Sequence, residues 1–151
     1  MIVEVVVEVP LGRTLRYSCP DRARVVARLS EPAPGNYGII PRAHSVKGLG
    51  CLVLGSEPVS PCSVLPARVI GALKVEANGV LDDEIIAVEP WSGIKDLAEV
   101  PEETMERITR FIEAVKTQEF GGTVKFKSTK DKEKAAELVK KCVELYRIFG
   151  E

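Results

Sequence analysis

Histidine occurs once among the 151 residues, at His44, and the four cysteines (Cys19, Cys51, Cys62, Cys142) form no C-x-x-C pair. That scarcity excludes a zinc-ligand spacing and leaves the cysteines as small buried hydrophobes. A disulfide is expected only if the source is a hyperthermophile. The shortage of asparagine (two) and glutamine (one) is a weak pointer that way. Aromatics are 5% of the chain and rarely stand beside basic residues, so a stacking platform for nucleic acid is not expected. No apolar run approaches the roughly 20 residues of a membrane-spanning helix. The opening MIVEVVVEV has acids where a secretory leader has a positive segment, so the expectation is a cytoplasmic protein with no membrane partner. A net charge of −1 excludes bulk attraction to nucleic acid or anionic lipid as the main business of the chain.

The most local absence is of carboxylates. None lies between Glu31 and Glu57, although Asp and Glu number 22 in all. Residues 1–56 carry seven Arg and Lys against four acids, and residues 57–100 carry three against eight. One basic and one acidic surface are compatible with near-zero net charge. In the acid-free stretch, HSVKGLG (His44–Gly50) is a glycine-punctuated loop before an apolar run, a place where rigid β scaffolds often carry chemistry. His44 near Lys47 has the residue types for acid–base work, although a single loop histidine is more often simply exposed.

What is present reads as β first and α last. IVEVVVEV (Ile2–Val9) and RARVVARL (Arg22–Leu29) have strand composition, and CLVLG (Cys51–Gly55) suits a strand covered on both sides. ARVIGALKVE (Ala67–Glu76) and DEIIAVEP (Asp83–Pro90) flank Asn78-Gly79, a strong hairpin signal, and TVKFK (Thr123–Lys127) is a late strand. EPAPGNYG and SEPVSPCS read as joints. A first helix begins at Pro101 with two acids behind it, and Met105, Ile108, Phe111, Ile112 and Val115 recur at helical spacing. The second spans about 130–149, with Ser128 and Thr129 as caps and Ala135, Leu138, Val139, Cys142, Leu145 and Phe149 on one face. The expected class is α+β: a small five-stranded barrel of oligonucleotide-binding type, with additional short strands and two C-terminal helices packed on it.

VVVEVPLGRTLRY, PAPGNYGIIPR, LVLGSEP, ARVIGALKV, DDEIIAVEP and VPEETMERITRFIEAVK follow one another in this order. Together they resemble the soluble, magnesium-dependent (family I) inorganic pyrophosphatases, from Val5 to about Tyr146, as one domain over residues 1–151. The resemblance implies hydrolysis of pyrophosphate to two phosphates and, for a short bacterial or archaeal chain, a homo-oligomer (a hexamer or its sub-assemblies). It implies Mg²⁺ as cofactor: carboxylate-held ions neutralise the substrate and activate water, while Lys, Arg and Tyr hold the phosphates.

Carried over residue by residue, Tyr37 and Asp82 stand at catalytic positions, and Asp82 with Glu8 at metal positions. Arg16 and Lys116 stand at phosphate-binding positions, which Arg42 and Lys47 would extend. The departures are larger. The family pattern D-[SGDN]-D-P-[LIVMF]-D falls on SVKGLG, so its aspartates become Ser45, Lys47 and Gly50. A further aspartate becomes Ala77, a phosphate-binding lysine becomes Glu84, a glutamate becomes Ser18, a tyrosine becomes Val115, and an arginine aligns with Val25 beside Arg24 and Arg28. A divalent ion and a carboxylate about 4 Å apart attract by roughly 8 kcal/mol at an effective dielectric near 20, before desolvation. Losing several ligands predicts weak or absent activity and a role as a phosphate-ligand-binding protein or a regulatory partner of an active paralogue. The alternative is an active pyrophosphatase or related phosphoanhydride hydrolase with a rearranged site (Glu8, Asp82, Asp83, Glu84). A nucleic-acid module is the third reading.

Overall fold

The computed structural model describes residues 1–19, 24–45, 48–55 and 57–150. Among these residues there are eight strands: β1 (Ile2–Val9), β2 (Leu15–Ser18), β3 (Arg24–Arg28), β4 (Asn36–Ile40), β5 (Leu49–Leu54), β6 (Val64–Ala77), β7 (Val80–Val88) and β8 (Val124–Lys130). Helix α1 spans Glu102–Phe120 and α2 spans Lys132–Phe149. β1 pairs with β4, β4 with β5, β5 with β7, β7 with β6, and β6 returns to β1. These pairings close a ring of five strands, as expected for the barrel. β8 extends β6, and β2 and β3 form a separate hairpin.

Side-chain alternation explains how both faces of β5 and β7 are covered. Leu52, Ile86 and Val88 join a core with Ile108, Phe111, Ile112 and Val115 of α1. Their neighbours Cys51, Val53, Ile85 and Ala87 join another with Ala135, Val139 and Cys142 of α2. Each fully buried aliphatic or aromatic side chain contributes about 1.5–3 kcal/mol, so the two helical stripes clamp the barrel from two sides. The β6–β7 hairpin turns at Asn78 and Gly79, with φ of 51° and 80°. Positive φ at both central residues is what Asn-Gly supplies and what matches the strand twist. No described helix is long and apolar enough to cross a membrane.

Several expectations change in three dimensions. Asn36, Tyr37 and Gly38 are strand rather than joint, because β4 pairs on both sides and buries Tyr37. Ser128 and Thr129 lie in β8, and the cap of α2 is Asp131, whose side chain accepts from the Lys134 amide. Pro101 sits one residue before α1, in extended conformation. Phe149 is not a core residue: it is 64% exposed, in the last turn of α2. Cys19 and Cys62 are paired in a disulfide, with Cα atoms 5.5 Å apart, while Cys51 and Cys142 are free and buried as expected. The β2–β3 hairpin and the turn before β6 bring the two sulfurs together across 43 residues of sequence.

Candidate functional site

Asp82 and Glu84 lie two residues apart on β7, so both project to one face. Lys116 and Glu119 follow each other by one helical step on α1, which places them together above that face. Lys116 Nζ lies 2.6 Å from Asp82 Oδ2, 2.9 Å from Glu84 Oε2 and 3.3 Å from Glu119 Oε1. Lys116 and Glu84 are each 1% exposed. Glu84 Oε2 has no aligned hydrogen bond and meets the ammonium as a charge contact.

β1, β2 and β4 complete the cluster. Arg16 pairs with Glu8 through Nη2 and with Glu119 through Nη1, both at 2.9 Å, and Nη1 also donates to Gln118. Its guanidinium carbon stands 5.8 Å from the centre of the Tyr37 ring. The Tyr37 hydroxyl donates to Glu84 Oε1 at 2.6 Å, and its ring packs edge-on against Phe111. Ser45 donates its hydroxyl to Asp82 Oδ1 at 3.2 Å. The loop that lacks carboxylates therefore still reaches the cluster, as a donor.

Gly50 is the other point of entry for that loop. It stands beside Glu84 in the parallel β5–β7 register. A Cβ at residue 50 would lie 2.4 Å from the Tyr37 hydroxyl oxygen and 2.6 Å from each Glu84 carboxylate oxygen. The space over Gly50 is filled by the Glu84 carboxylate, so a side chain at 50 and the carboxylate at 84 exclude each other.

Glu8, Asp82, Glu84 and Glu119 face Arg16 and Lys116, leaving two more acids than bases. Burial penalises the Lys116 ammonium, yet Glu84, Glu119 and Asp82 outweigh it and hold the group above its ordinary range. Arg16 is raised for the same reason: burial opposes its charge, and the paired carboxylates of Glu8 and Glu119 overcome that. Burial, with Glu84 and Glu119 adding to it, pushes the Tyr37 phenol well up, so it stays a donor. Glu84 is raised chiefly by burial, which the nearby ammonium only partly offsets. A raised carboxyl means that the folded state holds a proton the unfolded chain has released, so stability falls as pH rises above the ordinary value of 4.5. Removing that ionisable group in Glu84→Gln is expected to make the variant's melting temperature gain on wild type as pH rises above 4.5. A difference that stays constant or runs the other way would refute this account of Glu84.

The sequence-predicted residues are thus mostly gathered: Tyr37, Asp82, Arg16, Lys116 and Glu8 meet in one cluster. Arg42 joins none of these bonds; it is exposed, with φ of 56°, in the turn after β4. Lys47 lies outside the described residues. His44 is exposed, and its ring lies 6.0 Å from that of Phe149. Sequence reasoning missed Glu119 and Gln118. The Lys116–Glu119 spacing was the available signal, but which strand residues α1 would lie against was not legible from it.

Mg²⁺ needs several oxygen ligands around one vacant point. Here Asp82, Glu84 and Glu119 converge on an ammonium, and Glu8 is taken by Arg16. Among the described residues no group of three or more His, Cys, Asp or Glu is placed to hold a metal ion. The donor set as arranged does not fit the ion that the resemblance implies.

A sequence model of the inorganic pyrophosphatase family matches residues 5–147. Relatives named inorganic pyrophosphatase include one from Aquifex pyrophilus, 35% identical, covering 97% of this chain and 90% of the relative. Another, from Nanoarchaeum equitans, is 35% identical over 93% of this chain and 95% of its own. The crystal structure of the Thermus thermophilus inorganic pyrophosphatase superposes with a TM-score of 0.84 at 31% identity, covering 97% of this chain and 91% of that one. The Helicobacter pylori inorganic pyrophosphatase gives 0.85 at 26% identity, covering 97% and 94%. With barrel, helices and phrase order all matched across nearly its whole length, the chain belongs to the inorganic pyrophosphatase family.

Proposed function

We propose that this family member hydrolyses pyrophosphate with Mg²⁺ at no more than about one-hundredth of the rate of its Aquifex pyrophilus relative, because its site is closed by ion pairs of its own chain. The observation that carries this reading is Lys116 Nζ held by Asp82, Glu84 and Glu119 at 2.6–3.3 Å, in a position that solvent scarcely reaches. Pyrophosphate is multiply negative, and the cluster already has an excess of acid over base. Arg16 and Lys116 would have to leave their carboxylates to hold it. Two orders of magnitude correspond to about 2.7 kcal/mol of lost transition-state stabilisation, a modest figure for several missing ligands. The role that remains is binding of pyrophosphate or another phosphate compound, or assembly in the cytoplasm as a homo-oligomer or with an active paralogue. Val143, Ile148 and Phe149, exposed along α2, give such an assembly an apolar surface.

The comparisons favour a second reading, a working inorganic pyrophosphatase with rearranged ligands, over the first, and two observations support it. The relatives at 35% identity carry that name, and Asp82, Glu84 and Glu119 already converge on one point. Phosphate release from pyrophosphate with Mg²⁺, Mn²⁺ and Zn²⁺, measured beside the purified Aquifex pyrophilus protein, separates the two. Comparable turnover, abolished by Asp82→Asn, establishes the second reading and ends the first.

A further inference from the structure

We propose that Lys116 is the built-in cation of this cluster: its ammonium takes the place of a divalent ion, and Glu84, lodged in the space over Gly50, completes the carboxylate cage around it. Three carboxylates bring one oxygen each to 2.6–3.3 Å from a single point, a wider shell than the roughly 2.0–2.1 Å of Mg²⁺ and one that suits an ammonium. The point is filled by Nζ, delivered from α1 and buried. Every participant is braced from outside the cage. Ser45 holds Asp82, Tyr37 holds Glu84, and Arg16 holds Glu119. Because Gly50 has no side chain, the Glu84 carboxylate can occupy its place; any Cβ there would overlap it.

The consequence concerns how the fold is held together, and it does not depend on the rate of any reaction. A tethered cation cannot be chelated, so melting should ignore divalent ions. Removing the tether should leave a cage of carboxylates that a free divalent ion can fill. A buried carboxylate cluster without its partner is strongly destabilised, and a ligand that binds only the folded state restores stability by mass action.

The experiment compares melting temperatures in EDTA, Mg²⁺ and Mn²⁺, each at about 5 mM. Wild type is expected to shift by less than about 1 °C between them. Lys116→Ala is expected to melt lower in EDTA and to gain about 5 °C or more in Mn²⁺, with one Mn²⁺ per chain seen by electron paramagnetic resonance. If Lys116→Ala does not fold in EDTA, refolding it in Mn²⁺ and failing to do so in EDTA makes the same point. The double variant Lys116→Ala/Glu84→Gln relieves the excess charge and is expected to fold, with its Mn²⁺ gain at least halved. A wild-type gain above about 3 °C in Mg²⁺ or Mn²⁺ overturns the proposal, as does an equal Mn²⁺ response in the single and double variants. Pyrophosphate turnover without such a wild-type shift would overturn the functional reading and leave this inference standing.

Discussion

Gly50→Asp, which puts a carboxylate into the second position of β5, is expected to lower the melting temperature by at least about 10 °C. Its Cβ would start 2.4 Å from the Tyr37 hydroxyl oxygen and 2.6 Å from both Glu84 carboxylate oxygens. Those groups are packed on every side, so overfilling alone costs about 1–3 kcal/mol. The new carboxylate also enters a buried cluster that already holds more acids than bases, and an unpaired buried charge costs about 3–5 kcal/mol. A total of at least about 4 kcal/mol corresponds to the stated shift for a chain of this size. Gly50→Asp/Glu84→Lys should recover at least half of the loss, since the second change removes the clashing carboxylate and supplies a cation. Thermal melts of the single and double variants form a cycle whose coupling energy tests the claim. Additive losses would show that residues 50 and 84 are independent, contrary to their contact here.

The second large effect is expected from Cys19→Ser/Cys62→Ser. The Cys19–Cys62 bridge closes a loop of 43 residues, and the chain-entropy account assigns such a closure about 4 kcal/mol, mainly by restricting the unfolded state. The expected loss is therefore again about 10 °C, with an unchanged folded spectrum. Wild type melted in reductant should fall to the same value, whereas the double variant should be insensitive to reductant. A variant that melts within about 2 °C of oxidised wild type would show that the bridge adds nothing to this fold. The bridge ties the β2–β3 hairpin, which carries Arg16, to the turn before β6, so its loss is also expected to loosen the Arg16–Glu8 contact.

The strands and helices were legible where the chain's own periodicity decides them. The apolar stripe of α1 recurs every three or four residues and is buried as read, apart from the partly covered Met105. Asn78-Gly79 dictates a hairpin because few other pairs accept positive φ twice. Reading failed at ends and joints, where neighbours in space outvote local preference. Asn36–Gly38 has joint composition but becomes strand because β1 and β5 supply partners on both sides. Ser128 and Thr129 are good caps that β6 recruits into a ladder instead.

The candidate site divides along the same line. By itself the sequence determined the family, the barrel with two helices, and the lack of any carboxylate between Glu31 and Glu57, because order, composition and spacing are properties of the chain. Only the tertiary structure decided which residues meet at the site. The Tyr37–Glu84 and Lys116–Asp82 contacts join residues 47 and 34 positions apart, and Cys19 meets Cys62 across 43. Such pairings depend on strand register and on which strand each helix lies over, which many long-range contacts set together and no local pattern encodes. That is why HSVKGLG, as sequence, is a loop without acids, while in the fold it lends Ser45 as a donor and Gly50 as the space for Glu84.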